Sequence, residues 1–103
     1  MKRNIRLANK ELVEVDALPI VLPKGFEDME LFVHKEYHPI IKDSNLLGWQ
    51  VTEAESGFLI ATDDTQQGSI DIAIKKIQMK GNERVKVIRQ KVIAEFGEAN
   101  PSP

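Results

Sequence analysis

The sequence predicts an α+β fold, in which an antiparallel sheet of about five strands (residues 3–62) precedes two helices packed on one sheet face. Up to residue 62, apolar residues alternate with polar ones or form short β-branched runs, whereas beyond it they recur every three or four residues. Strands grouped before helices are typical of α+β domains. The 103 residues suffice for one domain, placed at 1–97, and segment 98–103, which follows Gly97 and contains two prolines, is predicted to be a disordered tail.

The strands are predicted as two hairpins and a connecting region. Alternating apolar residues around a turn at residues 9–10 predict a hairpin over 3–16, and a β-rich run predicts a strand over 29–34. The clearest hairpin joins residues 49–53 to 58–62, with Gly57 able to adopt the positive φ of its turn.

Segment 18–22 is apolar and bracketed by prolines. Because proline has no N–H for a sheet ladder, the segment is predicted to be an edge strand or an extended stretch over the core. It carries more apolar surface than an edge strand needs, and Trp49 begins the next hairpin. These features make the segment and Trp49 a candidate interface. Its residues are Leu18, Ile20, Leu22 and Trp49.

Two helices are predicted at about residues 65–79 and 83–96. Asp64 is the expected N-cap of the first, with Gln67 reaching back to it, and Asn82 after Gly81 is the expected cap of the second. The apolar stripes are Ile70, Ala73, Ile74 and Ile77, then Val85, Ile88, Val92 and Phe96.

The same region also allows a different structure. Residues 70–77 and 84–89 alternate well enough to pair as a hairpin. We favour helices because the 3.6-residue pattern continues through Ile77 and Phe96, whereas the alternation fails at Lys76 and Arg89.

Composition excludes several classes of protein. The chain is 42% hydrophobic with a net charge of −2, which is ordinary for a globular domain. It lacks cysteine, so disulfides, thiol catalysis and Cys-based metal sites are excluded. No apolar run reaches membrane-spanning length and no secretory leader is visible, so a cytoplasmic protein without membrane contact is expected.

Charge is unevenly distributed along the chain. Residues 43–74 contain six acidic residues and neither Lys nor Arg, whereas residues 75–103 contain seven basic residues and three acidic ones. The two blocks either face each other, or are solvated, or the basic block contacts an anionic partner such as nucleic acid. The candidate contacts are Lys75, Lys76, Lys80, Arg84, Lys86, Arg89 and Lys91.

Catalytic and cofactor motifs are not found. The glycines form neither G-x-G-x-x-G nor a P-loop, and no serine lies in G-x-S-x-G. His34 and His38 provide only two potential metal ligands. The acidic pairs 53/55 and 63/64 are interpreted as a soluble hairpin end and a helix cap. We therefore predict no enzyme activity, no catalytic or metal site, and no cofactor.

Residues 49–77 resemble small uncharacterised proteins of phages and mobile elements. The shared features are the strand from Trp49, the Ser56–Gly57 turn, an apolar strand, Thr65 and an Ile-rich helix. The chain is more loosely similar to HicB-type antitoxins, although it lacks their Pro-Gly loop and a recognisable DNA-binding appendix. The first resemblance implies a bacterial or phage origin, and the second gives an alternative family.

These observations predict a non-enzymatic interaction module that contacts a protein partner or forms a homodimer. The alternative is a nucleic-acid-binding accessory or HicB-like antitoxin that uses the basic helices.

Overall fold

The computed structural model describes residues 1–101 and confirms the α+β prediction. Five strands form one antiparallel sheet in chain order, and two helices follow, which excludes the alternative hairpin over 70–89. The elements are β1 (Lys2–Arg6), β2 (Leu12–Pro19), β3 (Leu31–Lys35), a 3₁₀ turn (Ser44–Leu46), β4 (Trp49–Glu53), β5 (Leu59–Asp63), α1 (Gln66–Lys80) and α2 (Asn82–Phe96).

Segment 18–22 continues from β2 as an extended stretch whose Ile20 and Leu22 pack against the core, as predicted. Strand β2 itself connects the first hairpin to β3 in the sheet. Its residues 12–16 pair with β1, and its last residues pair with β3, where Leu18 is opposite Val33 and Pro19 is opposite Phe32. The β1 pairing has ended by then, so β2 is unpaired on that side. The proline is tolerated because it lies at this local edge.

The two faces of the sheet bury separate apolar clusters. Leu31 and Val33 on β3 and Val51 on β4 face α1, where they meet Ile77. Phe32 lies on the opposite face, where it packs under the β1–β2 hairpin together with Ile5, Ala17 and Ala54. Strand β3 is therefore buried on both sides, as its run of apolar residues requires.

Helix α1 begins one residue later than expected, because Thr65 rather than Asp64 is its N-cap. The Thr65 hydroxyl accepts the Gly68 N–H at 3.0 Å, and Asp63 accepts both the N–H and the O–H of Thr65. A side chain at residue 68 would collide with the Asp63 carboxylate, since a Cβ there would lie 1.9 Å from its oxygen. Gly68 therefore allows the cap to close, a contact that spacing alone does not reveal.

Helix α2 ends at Phe96 as predicted, but it differs from the prediction in its N-terminal cap and in the burial of Phe96. Gly81 is the N-cap and Asn82 is the first helical residue, without a side-chain capping bond. Phe96, expected in the core, lies at the surface, where Arg6 and Lys10 contact its ring. The helix is anchored at its other end by the buried Val85.

The turn between β4 and β5 is organised by a buried carboxylate. Glu53, interpreted from sequence as part of a soluble hairpin end, is fully buried. Its oxygens accept the N–H groups of Glu55 and Ser56 and the Ser56 hydroxyl at 2.8–3.0 Å. Three donors compensate this carboxylate for the loss of water.

The segment after α2 returns to this turn. Ala99 is buried and donates its N–H to the Glu55 carbonyl at 2.7 Å. The Asn100 side chain accepts the Asn4 N–H and donates to the carbonyls of Asn4 and Ala54. Residues 99 and 100, which lie in the predicted tail, thus contact the β4–β5 turn and β1, where the Asn100 amide pairs with both backbone groups of Asn4. Residues 102 and 103 lie outside the described part of the chain.

We predict that Asn100→Ala lowers the free energy of unfolding by about 1–3 kcal/mol, because it leaves three backbone groups without their partners. Urea unfolding followed by Trp49 fluorescence measures this change. Asn45→Ala is the matched control, because its exposed side chain makes no hydrogen bond among the described residues. An Asn100→Ala loss no larger than that of the control would show that the C-terminal contacts are not stabilising.

Candidate interaction groove

An open groove lies where β5, the C-terminal half of α1 and the start of α2 meet. It has a volume of about 460 Å³. Most of its wall is apolar, and its polar side chains are two lysines of α1. We call it the helix groove, and its lining residues are Phe58, Leu59, Ile60, Lys76, Ile77, Met79, Lys80, Val85 and Ile88.

A β-bulge shapes the sheet side of the helix groove. Val51 pairs with Ala61 and Thr52 with Leu59, so Ile60 is the extra residue on β5. Its side chain packs against the cluster under α1, and its carbonyl accepts a hydrogen bond from Lys76 Nζ at 3.0 Å. The bulge distorts the edge of β5 and the lysine occupies one of its carbonyls, so both make pairing with an additional strand less favourable.

Large apolar side chains remain exposed around this groove. Met79 is 80% exposed and Leu59 is 48% exposed. Lys80 lies beside them without an ion pair among residues 1–101. Exposed apolar surface with a basic rim is typical of a contact surface for an apolar partner that carries negative charge.

The structure divides the seven basic residues expected to meet nucleic acid. Lys86 forms a 2.7 Å ion pair with Asp28, which lowers the pKa of Asp28 and raises that of Lys86 through hydrogen bonding and charge. Arg89 is buried, with its guanidinium near the Asp28 carbonyl and the Glu55 carboxylate. These two cations hold α2 to the loop before β3 and to the β4–β5 turn. The exposed ones are Lys75, Lys76, Lys80, Arg84 and Lys91.

The acidic and basic blocks of the sequence do not face each other as a whole. Among residues 1–101, the one ion pair between them joins Arg89 to Glu55 at 3.8 Å. The basic block otherwise pairs with Asp28, outside the acidic block, and internally with Glu83.

The candidate interface around segment 18–22 is only partly exposed. Leu18 is exposed, whereas Ile20, Leu22 and Trp49 are half-buried against the cluster under α1. Val21, between them, is 92% exposed. Ile20 and Leu22 thus act mainly as packing residues, and the free apolar surface of this segment belongs to Leu18 and Val21.

Trp49 has a basic neighbour. The Lys35 ammonium lies 4.7 Å from its ring centre and also donates to the carbonyls of Ser44 and Leu47. This lysine fastens the loop 36–48 over the end of β4. A cleft of about 510 Å³ lies between that loop and β2.

The two histidines have separate roles. His34 is buried, and its Nδ1 must carry the proton, because it lies 2.8 Å from the Lys35 carbonyl, which can only accept. Its Nε2 therefore accepts from the Thr52 hydroxyl at 2.8 Å. His38 Nδ1 accepts the N–H groups of Ile40 and Ile41.

Other features of the described residues concern metal and membrane sites. Within residues 1–101, no three His, Asp or Glu side chains cluster as a metal site would require. None of the helices in this part of the chain has the length and apolar character needed to cross a bilayer.

Comparisons of the chain with models of known families, with curated proteins and with solved structures found no match.

Sequence reasoning missed the helix groove as a site. Ile77 and Ile88 were assigned correctly to the apolar stripes of the two helices, but Met79 lies outside both stripes. The sequence feature that could have indicated the groove is Met79, a large apolar residue between the polar residues Gln78 and Lys80 near a helix end.

We predict that the free energy of unfolding falls as the pH is lowered from about 6.5 to 5. Burial lowers the pKa of His34, and the hydrogen bond to the Lys35 carbonyl opposes this only in part. The unfolded chain, whose histidine pKa is about 6.5, therefore binds a proton first, and acid favours unfolding.

Urea unfolding at several pH values measures this loss. His34→Gln should show a smaller loss than the native chain over the same pH range, whereas His38→Gln, which keeps His34, should retain it. An equal pH dependence in the native chain and His34→Gln would contradict the assignment.

Proposed function

We propose that this chain is a non-enzymatic protein–protein interaction module of a bacterial or phage cytosol, and that the helix groove is its contact surface. The observation that carries the proposal is the exposed apolar surface at Met79 and Leu59, beside a recess lined almost entirely by apolar side chains. Covering such surface is favourable for association, because it removes apolar area from water.

The rim of the helix groove supports a particular partner chemistry. Lys76 and Lys80 are its charged residues, and both are exposed. A partner segment with apolar side chains flanked by carboxylates complements this arrangement, since the charges steer the encounter and the apolar contact supplies the affinity. A second copy of the chain is one possible source of that segment, which gives the homodimer version of the proposal.

The contact differs from strand addition. The bulge at Ile60 and the Lys76 hydrogen bond to its carbonyl occupy β5, the last strand of the sheet. A partner is therefore expected to contact side chains in the recess rather than extend the sheet.

We predict that Met79→Glu weakens self-association, or capture of a protein partner, by at least about tenfold, because it places a carboxylate where an apolar side chain is covered. Light scattering gives the mass of the purified chain. Quantitative mass spectrometry gives the proteins retained by immobilised native and variant chains.

Val21→Glu is the matched control, because Val21 is 92% exposed on segment 18–22 and receives the same charge. If only this control lost association, the contact surface would be segment 18–22 rather than the helix groove. A chain that stays monomeric and retains no protein specifically would overturn the interaction function.

Nucleic-acid binding is the second candidate. It is supported by Lys75, Lys80, Arg84 and Lys91, which are exposed and form no ion pairs among the described residues. Lys86 and Arg89 are unsuitable for testing it, because their replacement would disturb the attachment of α2.

If nucleic acid is the ligand, we predict that replacing Lys75, Lys80 and Arg84 together by Ser reduces affinity and lowers the slope of log affinity against log salt by about two to three. Fluorescence anisotropy with a labelled duplex at several salt concentrations measures both. An unchanged slope would exclude these residues as phosphate contacts.

A further inference from the structure

A second recess, on the sheet face opposite α1, has a different character. It has a volume of about 400 Å³ and lies between β1, strands β4 and β5, and the end of α2. Its apolar walls are formed mainly by Ile5, Leu7, Phe58, Val92 and Phe96. We call it the sheet pocket. Its size falls within the range of small-molecule sites.

Polar groups converge on the sheet pocket. Gln50 and Thr52 of β4 line it, together with Tyr37 from the loop that precedes β4. The Gln50 amide and the Tyr37 hydroxyl have no hydrogen-bond partner among residues 1–101, so both remain available to a ligand. Thr52 is held rigid because it donates to the buried His34. A few fixed polar groups in an apolar recess are typical of a ligand-binding site.

Two cations border the sheet pocket, and only one of them, Arg6, already donates hydrogen bonds within the described residues. The Arg6 guanidinium donates to the carbonyls of Ser56, Lys10 and Gly97. The Lys10 ammonium lies 5.3 Å from the centre of the Phe96 ring and has no carboxylate partner among residues 1–101. Neither positive charge is neutralised by an acidic side chain, so the rim favours an anion.

The backbone places Lys10 at this rim at some cost. Its φ is 74°, the left-handed region that glycine and asparagine occupy more readily than lysine. The turn is closed by hydrogen bonds from Lys10 N–H to the Leu7 carbonyl and from Leu7 N–H to the Glu11 carbonyl. A lysine here is therefore not explained by turn geometry, and its ammonium is the chemically distinctive group.

We propose that the sheet pocket binds a small apolar carboxylic acid, with its alkyl or aryl part against Ile5, Leu7 and Phe58 and its carboxylate toward Lys10. The apolar walls require a hydrophobic body, and the uncompensated charge of the rim selects an anionic head. The Tyr37 hydroxyl and the Gln50 amide supply further donors for a carboxylate oxygen. This site shares only Phe58 and Leu59 with the helix groove, and the proposal does not depend on partner binding there.

Octanoate is a suitable probe, with 1-octanol as its neutral counterpart. Titration of the isotope-labelled full chain, followed by amide chemical shifts, should move the signals of Leu7, Gln50 and Thr52, which line the sheet pocket and not the helix groove, with octanoate. Lys10→Asn fits the left-handed backbone and should weaken octanoate binding roughly threefold to fivefold while leaving octanol binding unchanged.

Lys80→Asn, at the rim of the helix groove, is the control and should leave octanoate binding unchanged. The proposal would be overturned by shifts confined to Met79 and Ile88, which would place the probe in the helix groove. It would also be overturned by the absence of any shift, or by Lys10→Asn weakening both probes equally or neither.

Discussion

The buried carboxylate of Glu53 is the interaction on which the rest of the structure depends. It draws the N–H groups of Glu55 and Ser56 inward, so the carbonyl groups of the same turn are directed outward. Those carbonyls accept hydrogen bonds from other parts of the chain. The Gly57 carbonyl accepts the Arg6 N–H, and the Ser56 carbonyl accepts a bond from the Arg6 guanidinium. The Glu55 carbonyl accepts the Ala99 N–H. A single charged side chain thus fixes a turn to which the beginning and end of the described chain are both attached.

This turn also positions both recesses. Phe58 and Leu59, which follow it directly, line the helix groove on one side and the sheet pocket on the other. Gly57 is required beneath them, because its φ is 75° and a Cβ would lie 2.7 Å from the Cβ of Ala99. The approach of the C-terminal segment therefore supports the same few residues that separate the two surfaces.

Local patterns were sufficient to predict the elements but not their attachments. The 3.6-residue periodicity of Ile70, Ala73 and Ile77 located α1, because its buried face is encoded within fifteen consecutive residues. The role of Glu53 depends on a turn conformation, and the role of Asn100 depends on partners distant in sequence. Neither role can therefore be predicted from the spacing of nearby residues. Thr65 replaced Asp64 as the cap because Asp63 and Gly68 complete the Thr65 arrangement.

The charged residues likewise show that the sequence does not reveal which side chains form tertiary contacts. The sequence presents one basic run, but Lys86 and Arg89 are committed to Asp28 and Glu55, whereas Lys80 and Arg84 are free of ion pairs among the described residues.

Three cations lie beside apolar surface: Lys76 and Lys80 border the helix groove, and Lys10, from the other end of the chain, borders the sheet pocket. The remaining exposed cations of the basic run, Lys75, Arg84 and Lys91, line neither recess. A phosphate-binding face needs cations gathered on a polar surface, whereas isolated cations beside apolar recesses favour ligands that are part apolar and part anionic. The cations at the two recesses therefore favour amphipathic partners there, and any phosphate contact would depend on the cations outside the recesses.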